Sequence, residues 1–126
     1  MATRIFNNKR QQVDILFTAN DTITVAGNDS VSEIAITGQT ITGAAIKQIL
    51  CSSPSGNGAY WSVLRGANVV FTPDSTAFID FAGNGIGLDI DETADLTCNL
   101  VGAASDAGSI VITLRKIYEH PDDSDY

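Results

Sequence analysis

The densest group of side chains able to do chemistry is a run of carboxylates: Asp89, Asp91, Glu92 and Asp95. Hard cations take several oxygen ligands, so such a group is where Ca²⁺ would be sought. Asp89 and Asp91 fall on one face of an alternating stretch, with Glu92 and Asp95 at the turn beyond it. The EF-hand pattern is absent, since neither its central glycine nor its closing Glu stands at the required spacing. Charges along a strand edge discourage edge pairing and account for the same residues without an ion. The expectation is therefore no metal and no cofactor, with Asp89, Asp91 and Asp95 as the positions to inspect.

Other chemistries find less support. Paired carboxylates serve glycoside hydrolysis only across a cleft, one of them with a raised pKa. Acids crowded on a hairpin do not meet that condition. His120 is the single histidine and lies between Glu119 and Pro121 in a polar acidic terminus. A catalytic base must be oriented by a third group and held within reach of its nucleophile, which that position does not offer. Cys51 and Cys98 have no activating neighbour, and Cys98 shares an apolar face with Leu96 and Leu100. It reads as a small core residue. Whether the two cysteines pair depends on a Cα separation that sequence does not give. The glycines of Gly83-Asn84-Gly85-Ile86-Gly87 resemble a phosphate loop, but a strand-like Leu88-Asp89-Ile90-Asp91 follows where a helix N-terminus is needed. Asn84-Gly85 instead suits a type I′ hairpin. No enzymatic activity is expected.

Binding residues are easier to nominate. Tyr60 and Trp61 point to opposite faces of one strand, so one belongs to the core and the other is available to a partner or a sugar. Arg65 is one of two cations between residues 11 and 114, and Asp80, Asp89 or a second subunit are its candidate partners. Arg4, Lys9 and Arg10 make the first ten residues basic. They form either a docking arm or a first edge strand with guarding charges.

These residues have to be positioned by strands. Val13, Ile15 and Phe17 alternate with polar neighbours, as do Ile86, Leu88 and Ile90, then Leu96, Cys98 and Leu100, then Ile110, Ile112 and Leu114. Val, Ile and Thr dominate the runs. Turn signals such as Asn20-Asp21, Gly66-Ala67 and Pro73-Asp74 recur at short intervals. The spacing predicts strands near residues 3–6, 11–18, 22–26, 31–36, 45–52, 59–65, 68–73, 76–82, 86–91, 95–101 and 109–118, some of which must merge. Thr42 is also a candidate helix cap ahead of Ile46, Ile49 and Leu50, but the Pro/Gly turn that follows favours a strand. The expected class is all-β, an antiparallel β-sandwich or jelly roll of roughly eight to ten short strands. Residues 1–10 are the arm or edge strand, 11–118 the sandwich and 119–126 an acidic mobile tail.

The chain has 126 residues, with 7 Lys+Arg against 15 Asp+Glu and a formal net charge of −8. One domain is implied. Such acidity argues against nucleic-acid binding, which needs clustered cations. No apolar stretch approaches a membrane span and no signal peptide is visible, so a soluble protein made in the cytoplasm, with reduced thiols, is expected.

The run Tyr60-Trp61-Ser62-Val63-Leu64-Arg65-Gly66-Ala67-Asn68-Val69-Val70, then Asp80-Phe81-Ala82-Gly83, then Gly108-Ser109-Ile110-Val111-Ile112-Thr113-Leu114-Arg115-Lys116, resembles small virion structural proteins of tailed bacteriophages, particularly marine cyanophages. The likeness lies in the texture of the strands and carries no catalytic motif. It implies a non-enzymatic capsid decoration (cement) protein of β-sandwich fold, bound to the outer capsid lattice. The major capsid protein would be its partner, and it would itself be a dimer or trimer. Arg4, Lys9 and Arg10 would dock, with Tyr60, Trp61 and Arg65 making contacts. A rival expectation is a receptor- or glycan-binding module of a tail fibre or adhesin, presenting Tyr60 or Trp61 as an aromatic platform.

Overall fold

The computed structural model describes residues 3–26, 32–52, 59–73, 76–80, 93–102 and 108–119. It is an all-β sandwich. Its nine described strands are β1 (Thr3–Phe6), β2 (Gln12–Phe17), β3 (Asp21–Ile23), β4 (Thr40–Cys51), β5 (Tyr60–Arg65), β6 (Asn68–Phe71), β7 (Ala77–Asp80), β8 (Leu96–Val101) and β9 (Ile110–Glu119). One sheet has the order β1-β2-β9-β4-β7 and the other β3-β8-β5-β6, with every pairing antiparallel.

Period-2 patterning builds the core between these sheets. Val13, Ile15 and Phe17 of β2 and Ile110, Ile112 and Leu114 of β9 face inward from the larger sheet. Trp61 and Val63 of β5 and Leu96 and Cys98 of β8 meet them from the smaller one. Each fully buried aliphatic or aromatic side chain stabilises the fold by about 1.5–3 kcal/mol. The first residues form a strand paired with β2, with Arg4 opposite Leu16 and Phe6 opposite Asp14, so the edge-strand reading describes residues 3–6.

The strands expected over 22–26 and 68–73 end early, at Ile23 and Phe71, and two expected elements change more. The strand expected from residue 45 begins at Thr40, because register shifts between Ile41 and Gly43 and between Ile46 and Gln48 break the alternation. Each bulge adds a residue and moves the apolar phase by one, which gives Ile46 and Ile49 the spacing of a helix inside a strand. The strand expected over 31–36 is absent in its described part, residues 32–36, which lies in turns and irregular chain. Nearby side chains take two of its backbone N–H groups: Ile34 N donates to Ser32 Oγ at 3.3 Å and Ile36 N donates to Gln39 Oε1 at 3.2 Å. Such competition withdraws a segment from a ladder. The strand expected over 86–91 and the Asn84-Gly85 turn lie outside the described residues.

Candidate functional surface

The outward face of the five-stranded sheet carries two cross-strand rows. In the first, Arg4, Leu16, Val111, Leu50 and Phe78 stand side by side across β1, β2, β9, β4 and β7. Leu50 is 49% exposed and Phe78 60%. In the second, Phe6, Asp14, Thr113, Gln48 and Asp80 follow the same strand order. Here the polar groups satisfy one another: Thr113 Oγ1 donates to Asp14 Oδ1 at 2.6 Å, Asn7 Nδ2 donates to Asp14 Oδ2 at 3.0 Å and Gln48 Nε2 approaches Asp80 Oδ2 at 3.5 Å. Between the rows runs a groove of about 290 Å³ walled by Phe6, Leu50, Phe78 and Val111 on its apolar sides. Every described strand of that sheet contributes to the face. Binding is the chemistry that such a groove offers: the satisfied polar row leaves its apolar neighbours free to bury area on a partner.

The sequence-nominated residues part company. Trp61 and Arg65 are fully buried, so neither presents its side chain to a partner or a sugar, and their expected contact role is corrected. Trp61 packs inward as an alternating residue of β5, and its Nε1 is buried without a hydrogen-bond partner. Arg65 also alternates inward, at the end of β5. Its Nη1 donates to Ala44 O at 2.7 Å, while Nε and Nη2 donate to Ala94 O at 3.2 and 3.0 Å. The guanidinium thus ties the two sheets through backbone oxygens, which its planar fork of donors suits. Tyr60, on the opposite face of β5, is half-buried. Arg4 and Lys9 are exposed and Arg10 is half-buried.

Asp95 is exposed, and its backbone oxygen accepts from Gly66 N at 2.8 Å. Asp89, Asp91, Glu92, His120 and the Gly83 to Gly87 stretch lie outside the described residues. Among the described residues, no three His, Cys, Asp or Glu side chains gather to hold a metal. No helix is long and apolar enough to cross a membrane. Cys51 and Cys98 are both buried and free, which answers the pairing question. Desolvation pushes the Cys98 thiol far above its usual range, away from thiolate reactivity.

No known protein family, curated protein or solved structure matches the chain.

Sequence reasoning missed one constellation. Lys116 is on the core side of β9 and is only 4% exposed; Gln39 beside it is 1% exposed. Lys116 Nζ donates to Asn8 Oδ1 at 2.6 Å and to Gln39 Oε1 at 3.0 Å. Burial pushes the Lys116 amine down to about 8. The available signal was positional: Lys116 continues the inward series Ile110, Ile112, Leu114, so alternation alone places it in the core.

Proposed function

We propose that the chain is a non-enzymatic structural protein of a tailed-phage virion, a decoration protein that binds the outer capsid lattice and stabilises the head. The observation that carries this reading is the outward row Leu16, Val111, Leu50 and Phe78, an apolar stripe across the breadth of one sheet. An exposed stripe of this kind suits a protein partner, and the resemblance of residues 60–116 to virion proteins supports the major capsid protein as that partner. Repeated copies on a lattice gain affinity through multivalency, so each contact is permitted to be modest. The rival glycan-binding reading loses Trp61 as its platform, since that ring is buried.

The test is direct. Purified DNA-filled heads should contain the protein in many copies, and heads stripped of it should rebind the wild-type chain. Leu50→Lys with Phe78→Asp, an opposite-charge pair across β4 and β7, should abolish rebinding while changing the unfolding free energy in urea by no more than about 1 kcal/mol. Absence of the protein from heads, or rebinding undiminished by the two substitutions, overturns the reading.

A further inference from the structure

A second surface lies at the end of the same sheet and does not depend on how the apolar stripe is used. Residues 7–11, between β1 and β2, carry Lys9 and Arg10. Nearby, Gln12 stands opposite Arg115 across the β2–β9 ladder and accepts from Lys47 Nζ at 3.2 Å. Four cations therefore gather around one glutamine in a chain whose net charge is −8. An open depression of about 430 Å³ lies there, lined by Lys9, Arg10, Gln11 and Gln12.

The loop beneath these charges is held at each residue. Asn7 adopts φ 47°, a conformation asparagine tolerates, and its amide bonds Asp14. Asn8 Oδ1 accepts from Lys116 Nζ, Lys9 N donates to Gln12 O at 2.9 Å, Arg10 O accepts from Gln39 Nε2 at 2.7 Å, and Gln11 O accepts from Lys116 N at 2.8 Å. Gln39 is itself fixed, since Ile36 N donates to its Oε1 at 3.2 Å and its own N donates to Ile36 O at 3.0 Å. Two buried polar side chains are thus committed to the shape of one exposed loop. Placing a loop in advance removes ordering entropy that binding would otherwise cost.

We infer that the β1–β2 hairpin is a pre-organised docking site for a short acidic polypeptide segment, with Lys9, Arg10, Lys47 and Arg115 supplying charge and Gln39 and Lys116 acting as positioning residues. A compact carboxylate cluster fits the patch. A nucleic-acid duplex, with a charge per about 1.7 Å, would extend beyond these four cations. Asp14, the carboxylate two positions along β2 from Gln12, is engaged by Asn7 and Thr113 and does not compete.

The experiment measures fluorescence anisotropy of a fluorescein-labelled oligoglutamate peptide with the full chain at low salt. Binding should occur and weaken steeply as salt is added. Lys9→Glu and Arg115→Glu, both at exposed positions, should each weaken binding at least about tenfold. Arg4→Glu makes the same charge change several residues away and should weaken it by less than about threefold. Gln39→Ala should weaken binding without altering charge and should raise backbone amide exchange across residues 7–11. No binding at low salt, equal losses for Arg4→Glu and Lys9→Glu, or tighter binding of labelled oligothymidylate than of oligoglutamate would each overturn the proposal.

Discussion

Lys116 and Arg65 show what alternation does when it reaches a cation. Each falls on the inward phase of its strand, and each is kept there by polar oxygens that a neutral side chain would leave bare. For Lys116 the cost has a pH signature. Its folded-state pKa is near 8 against an ordinary 10.5, so between those values the unfolded chain holds a proton that the folded chain has lost. Stability attributable to this group therefore rises as pH climbs from about 8 to 10.5, and the full burial penalty is present below 8. Urea midpoints measured across that window should rise for the wild type relative to Lys116→Met. For Arg65, replacement by Lys keeps the charge but lacks the fork that reaches both Ala44 O and Ala94 O, so Arg65→Lys should cost about 1–3 kcal/mol. Sequence placed both residues on strands, yet charge alone says nothing of the oxygen partners, which arrive from β4, from residue 94 and from residues 8 and 39. Trp61 gives a simple optical check: as the single Trp and a fully buried one, its emission should be blue-shifted and shielded from acrylamide until the chain unfolds.

At the scale of elements, the β5–β6 hairpin shows local sequence and structure in agreement. Arg65 and Asn68 close a two-residue turn of Gly66 and Ala67, with Gly66 at φ 60° as a type II′ turn requires at its first position. A Cβ at Gly66 would also meet Ala94 Cβ at 3.3 Å. Gly66→Ala should therefore destabilise by about 1–2 kcal/mol in equilibrium unfolding. That turn was legible because its glycine reports a backbone requirement. β4 was less legible, because its two register shifts give apolar residues a spacing that no single period describes. The 32–36 segment was misread for a different reason: the side chains of Ser32 and Gln39 accept from its backbone at Ile34 and Ile36, and hydropathy does not register such bonds. The outward face was missed for a third reason. Leu16, Leu50 and Phe78 look like ordinary apolar residues until β9 brings their strands together.

Across the whole molecule, the two-sheet architecture follows from alternation and turn spacing, whereas the pairing order β1-β2-β9-β4-β7 has no signature in either. Both thiols lie inside the resulting core. Their reaction with a thiol reagent should wait on global unfolding, so the labelling rate should track the unfolding equilibrium measured in urea. The position of β9 has a further consequence. It is the last described strand in the chain, yet it sits between β2 and β4 and also supplies the lysine that braces the first hairpin. During synthesis, the β1–β2 and β4–β7 pairs cannot join into one sheet until residues near 110 have left the ribosome. Closure of the larger sheet is then a late, long-range event that joins the first hairpin to the last strand. Nascent chains stalled before Gly108 should remain protease-sensitive throughout the region of β1, β2 and β4, and extension past Glu119 should protect all three together.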